Sequence, residues 1–141
     1  MGILQFSKAK MSLSDVFDGV ERGRPCLVQR RKSPRIAFIR ADELDELLRL
    51  HYPFHSEVSR GDDGTVSVWL HELDVYGRGT SLDAAIDDLL NEVEIYLDDW
   101  ETSLKYAPNH SRRRWWVHRL QLADGRSELR TTIFDPPGAI T

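Results

Sequence analysis

SKAKMSLSDVFDGVERGRPCLVQRRKSPRIAFI, Ser7 to Ile39, is the stretch from which the front of the chain can be read. Leu13, Val16, Phe17 and Val20 recur at i, i+3, i+4 and i+7, the apolar stripe of a helix that packs on something. Ser7 is the expected N-cap, and Met11-Ser12 marks a break, because Ser12 or Ser14 can cap a second short helix. The helical run must stop near Gly23 and Pro25, since glycine suits the position after a helix and proline cannot continue its hydrogen-bond ladder. Cys26 to Arg30 then reads as a strand, Lys32-Ser33-Pro34 as a turn and Ile36 to Ile39 as the returning strand.

Working outward, Ile3 to Phe6 is apolar enough for an edge strand. Asp42 is the expected N-cap of a helix carrying Leu44, Leu47 and Leu48, ended by His51-Tyr52-Pro53 because proline disfavours helical geometry in the residue before it. From Phe54 the period becomes two. Phe54, Ser56 and Val58 alternate with polar neighbours, Gly61-Asp62-Asp63-Gly64 turns, and Val66, Val68 and Leu70 alternate back as a hairpin. A short strand at Val75 and Tyr76 leads through Gly77-Arg78-Gly79 to Ser81, the expected N-cap of a long helix. Leu82, Ala85, Ile86, Leu89, Leu90, Val93, Tyr96, Leu97 and Trp100 keep its helical period, and acids fill the other side. Pro108 to Arg114 reads as a polar loop, and Trp115 to Leu122 and Leu129 to Phe134 as a last hairpin turning at Ala123-Asp124-Gly125-Arg126. Asp135 onward reads as an unstructured end.

The chain has 141 residues and 40% hydrophobic content, room for one ordinary domain or two small ones. No apolar run approaches the ~20 residues that span a bilayer, and MGILQFSKAK has too short an apolar segment for an export signal, so a cytoplasmic protein without membrane partners is expected. The single cysteine, Cys26, cannot build a disulfide framework and reads as a small buried filler. Charge is segregated. Residues 1–40 carry nine Lys or Arg against three acids, net +6, whereas residues 51–110 carry three against thirteen, net −10. A basic head on an acidic body points to a polyanion at one end and a basic partner at the other.

The order of pieces in the first stretch resembles the Phd/YefM antitoxins. Ser7-Lys8-Ala9-Lys10 stands where that family has Ser-Glu-Ala-Arg, Gly23-Arg24-Pro25 fills its Gly-x-Pro turn, and Arg30-Arg31 its basic pair. The resemblance implies a homodimer, formed through residues 1–50, that binds operator DNA and represses its own promoter. Lys8, Lys10, Arg30, Arg31, Lys32 and Arg35 are the candidate DNA contacts, able to neutralise neighbouring phosphates. Residues 54–100 are similar to HicB antitoxins in Asp62-Asp63-Gly64, the strand through Trp69, and Gly79-Thr80-Ser81-Leu82 entering the helix. That similarity implies a partial RNase H-like sheet with one long acidic helix, and a cognate toxin bound on it. Together the two imply an α+β chain: a Phd/YefM-like domain at 1–50, a HicB-like toxin-binding domain at 54–134, and a tail at 135–141. Trp69, His71, Asp87, Asp88, Glu92, Glu94 and Asp98 are the candidate toxin contacts. The implied toxin is a small basic ribonuclease, RelE-like or HicA-like, because an RNA-binding enzyme needs positive charge that an acidic face can capture.

Catalysis is not expected. His51 and His55 are four apart, but Pro53 prevents the helix that would align them on a metal, and no cysteine pair completes a set. His71 and His118 stand alone, Asp62 and Asp63 are explained by a turn, and no nucleophile elbow or phosphate-cradling loop occurs. A nuclease on such a sheet needs carboxylates converging from several strands, whereas the acids here crowd onto one helix. The rivals are that nuclease and a ligand-sensing transcriptional regulator. Arg112, Arg113 and Arg114 beside Trp115-Trp116 fit a charged rim on an aromatic pair, a pairing with the acidic helix, or stacking on bases. Whether the two tryptophans serve core or interface stays open.

Overall fold

Two units follow one another along the chain, residues 1–47 and 48–141, in a computed structural model that describes residues 2–134. The expected tail, 135–141, lies outside the described residues. In the first unit Leu4–Gln5 (β1) pairs parallel with Cys26–Gln29 (β2), and Ile36–Phe38 (β3) pairs antiparallel with β2, in the order β1-β2-β3. The break expected at Met11-Ser12 is there: two helices, Phe6–Met11 (α1) and Leu13–Glu21 (α2), meet at Ser12, whose hydroxyl donates to the Lys8 carbonyl at 2.8 Å and makes no cap to α2. Ser7 lies inside α1 instead of capping it. The chain passes straight from β1 through the extended Gln5, which occupies the cap position without a side-chain hydrogen bond.

Gly23, at φ +90°, ends α2 with its N–H donated to the Val20 carbonyl at 2.9 Å. Of the apolar stripe only Val16 is buried. It packs with Ala9 and Val28, while Leu13 and Phe17 are half exposed. Cys26 is half-buried at the border of this small cluster, not a fully buried filler. Ala41–His51 (α3) follows. Asp42 falls in its first turn, not at its cap, and pairs with Arg40, whose Nε lies 3.0 Å from Oδ1. That hydrogen bond holds the Asp42 carboxyl below the usual aspartate range.

In the second unit Ser56–Arg60 (β4), Val66–Leu70 (β5) and Val75–Gly79 (β6) form an antiparallel sheet in sequence order. The β4–β5 turn is the expected one. Gly64 adopts φ +85°, and the Asp63 carboxylate accepts the Thr65 N–H at 2.9 Å, which lowers its pKa. Val66, Val68 and Leu70 point to the core face and are buried against Leu82–Thr102 (α4). Ser81 caps α4 as expected, its hydroxyl accepting the Ala84 N–H at 3.1 Å. Gly77 and Gly79, read from sequence as a connection, are instead strand residues. A Cβ on Gly77 would meet the Ala85 carbonyl oxygen at 2.2 Å, so α4 lies directly on the β6 backbone.

The last hairpin is overturned. A 3-10 turn (Leu104–Tyr106), Pro108–Ser111 (α5), Arg114–Gln121 (α6) and Gly125–Phe134 (α7) occupy that region. Leu129 and Ile133, four apart, satisfy both periods, whereas Val117 and Leu120, three apart, share a face only on a helix. Packing against the α4 core decides for the helix: all four are buried. The Asp124-Gly125 step therefore turns the chain between helices, with Gly125 at φ +82°. The arginine-rich loop is likewise partly helical, and Arg113 donates to the Leu73 carbonyl at 2.9 Å. On α6, Trp116 donates to the Pro53 carbonyl and Arg119 to that of Tyr52, each at 2.9 Å, with Tyr52 stacked on Trp115. Trp116 packs on the core, while Trp115 is 37% exposed.

Candidate functional site

The basic residues of the first unit gather around the β2–β3 turn. Arg31 takes a left-handed conformation, φ +53°, the Ser33 N–H donates to the Arg30 carbonyl at 3.0 Å, and the Gln29 amide donates to that of Ser33 at 3.0 Å. Tied back in this way, the turn presents Arg30, Arg31, Lys32 and Arg35 to solvent, all exposed. The Arg30 guanidinium lies 5.5 Å from the Phe6 ring centroid, so the turn meets the start of α1. A cleft of about 680 Å³ opens there, lined by Gln5, Phe6, Ser7, Gln29, Arg30, Arg31 and Ser33. Lys8 and Lys10 are exposed on α1 on either side of the buried Ala9. Two residues on a helix differ by about 200° in direction, so these lysines flank α1 and do not share one surface.

In the second unit the ladder sorts the sheet into two faces. Glu57 on β4, Trp69 on β5 and Tyr76 on β6 are in register and point away from the α4 core. The Trp69 and Tyr76 rings stack with centroids 5.7 Å apart and planes 5° from parallel, and the His71 ring lies 4.0 Å from Trp69. The indole N–H of Trp69 donates to Asp74 at 2.9 Å, and His71 Nε2 lies 3.3 Å from Glu57. His55 Nδ1 and Glu72 Oε1, 2.6 Å apart, form a second such pair at the same end of the sheet.

Helical spacing divides the acids of α4 into two stripes. Asp87, Asn91, Glu94 and Asp98 form the first, and α7 reaches it: Arg126 donates to Asn91 at 2.9 Å, to Glu94 at 3.3 Å and to the Asp87 carbonyl at 2.6 Å. Asp88, Glu92, Ile95 and Asp99 form the second, which borders β6. There Asp88 accepts the Arg78 backbone N–H at 2.8 Å, and Ile95 is 53% exposed among acids. A shallow pocket of about 430 Å³ lies between this stripe and β6, lined by Asp74, Val75, Tyr76, Arg78, Asp88 and Glu92.

The structure thus brings Trp69, His71, Asp88 and Glu92 onto one continuous surface through Tyr76. It turns Glu94 toward the protein's own arginine, with Asp87 and Asp98 on that same stripe. Tyr76 and Asp74 were missed in sequence. Their signal was the alternation of Tyr76 with the core-facing Val75, which pairs it across the strand with Trp69. Among the described residues no group of three or more His, Cys, Asp or Glu side chains is placed to hold a metal ion, and no helix is long and apolar enough to cross a membrane.

A family model named PHD-like, described as "Antitoxin of toxin-antitoxin, RelE / RelB, TA system", matches residues 1–134. A crystal structure from Syntrophomonas wolfei subsp. wolfei at 1.80 Å, described as an antitoxin part of a proposed toxin/antitoxin system, has the same fold. The TM-score is 0.71 at 21% identity over 94% of this chain and 96% of that one. No curated protein matches.

Proposed function

The chain belongs to the PHD-like family of antitoxins of toxin–antitoxin systems, and on that premise we propose a division of labour between its two units. Residues 1–50, a Phd/YefM-like head, form a homodimer that binds operator DNA and represses the operon. Residues 54–134, a HicB-like body, bind and neutralise a small basic ribonuclease, RelE-like or HicA-like. Neutralisation is by occupation of the toxin's surface, without catalysis by this chain.

The observation that carries this reading is the partition of charge, net +6 over residues 1–40 and −10 over 51–110, within a family match that spans both. Dimerisation is supported by how little the first unit buries. Ala9, Val16 and Val28 are its buried cluster, while Leu13, Phe17, Ile36, Phe38 and Ile39 are each more than a third exposed. Every residue of β3 is exposed. A unit this small gains stability by covering such residues with a second copy.

The DNA half is tested on the DNA upstream of the chain's own gene. Lys10→Ala combined with Arg31→Ala weakens binding and flattens its dependence on salt, each lost phosphate contact lowering the log–log slope by about 0.9. Unchanged affinity and slope would remove these residues from the DNA surface.

A further inference from the structure

We propose that the groove along the free edge of β6 is the arginine-accepting point of the toxin-binding surface, seating one guanidinium of the partner protein between Tyr76 and the second acidic stripe of α4. The inference rests on the antitoxin reading and names the chemistry its surface recognises. β6 is an edge strand. Because the Arg78 N–H is given to Asp88 and backbone groups alternate along a ladder, the N–H and C=O of Tyr76 turn toward the same free side. Asp88 occupies the place where a neighbouring strand's carbonyl would sit. Strand addition is therefore blocked at Arg78, and the groove is left for a side chain.

What lines it fits a planar cation. Its lining carries three carboxylate residues, Asp74, Asp88 and Glu92, against one arginine, Arg78; Asp74 and Asp88 each accept one N–H, from the Trp69 indole and the Arg78 backbone. The Tyr76 ring, 46% exposed and already stacked on Trp69, borders them. A guanidinium has five donors in a fixed fork and stacks on aromatic faces, whereas an ammonium is a compact and strongly hydrated point charge. The same helix shows the pairing one stripe away. Asp87, Asn91 and Glu94, at i, i+4 and i+7, hold the protein's own Arg126 through two side chains and one carbonyl. Asp88, Glu92 and Ile95 repeat that spacing on the side facing β6, with Ile95 exposed to meet an apolar residue of the partner.

The test uses the full chain and two probes. A capped Gly-Arg-Gly-Arg-Gly peptide and its citrulline counterpart, which keeps the shape and removes the charge, are titrated while the Tyr76 and Arg78 amide resonances and the Trp69 indole resonance are followed. The arginine peptide shifts them saturably and the citrulline peptide does not. Glu92→Gln weakens the effect by about ten-fold, and Asp62→Asn, in the exposed β4–β5 turn, leaves it near wild type. No shift, equal shifts from both peptides, or an equal loss in Asp62→Asn would overturn the assignment. The second probe is the protein encoded beside this chain, captured by wild type and by Glu92→Gln. A neighbour held as tightly by Glu92→Gln as by wild type overturns the groove while the antitoxin reading stands. A wild-type chain that holds neither neighbour overturns the antitoxin reading, and with it the groove as a toxin site.

Discussion

A Cβ on Gly77 would lie 2.2 Å from the Ala85 carbonyl oxygen and 2.3 Å from the Leu89 amide nitrogen, both backbone atoms of a 21-residue helix that cannot yield locally. Gly77→Ala therefore loses roughly 3 kcal/mol in urea unfolding. Gly64→Ala, strained by φ +85° but with nothing within 4 Å of its Cβ, loses about 1–2 kcal/mol. Equal losses would contradict the direct seating of α4 on β6. In sequence, Gly77-Arg78-Gly79 looked like a connection, because paired glycines usually punctuate. The alternation Val75, Gly77, Gly79 on the core face was the signal against it, visible once β6 was known to be a strand. Asp63 was legible, since an Asp-Gly turn has one common use for that carboxylate. Its pKa is lowered in the fold by the Thr65 N–H, so its contribution is present above the unfolded aspartate range and is lost as pH falls through the depressed folded value. A carboxyl-carbon titration by NMR should place the Asp63 midpoint below the ordinary aspartate range. An ordinary midpoint would contradict the hydrogen bond.

At the scale of elements, α4 was legible from end to end because cap, apolar period and acidic face agree along its whole length. Its start depends on Ser81, whose hydroxyl holds the Ala84 N–H. Ser81→Ala lowers stability by about 1 kcal/mol, and Ser81→Asp, which keeps an acceptor there, restores most of it. Failure of aspartate to restore it would point to a role for Ser81 other than capping. The segment after α4 was misread for the opposite reason. Leu129 with Ile133 is compatible with either period, and the Thr131-Thr132-Ile133 run adds β-branched residues that favour strands. What decides them is burial against α4, a long-range fact that no local window contains. The same misreading concealed Arg126. In the hairpin turn it would be one more surface charge, whereas on α7 it reaches Asn91 and Glu94, on the stripe of α4 that does not border β6.

At the scale of the molecule, the basic head and acidic body were plain in the sequence, and so was the candidate basic turn. The candidate toxin contacts read from sequence fall on two different stripes of α4 and on the outer face of β5. The sequence could show that α4 is acidic but not which side of it α7 covers. Family membership fixes the chain as an antitoxin. The central claim beyond that is that its acidic body neutralises a basic ribonuclease. The most direct measurement is growth of cells expressing each protein encoded beside this chain, alone and with it, followed by pull-down over a salt series. The expected result is a small basic neighbour that arrests growth alone, is harmless when co-expressed, and is released from the complex as salt rises, because attraction between charged faces is screened. Neighbours that are harmless alone, or a toxic one that this chain neither binds nor silences, would contradict it.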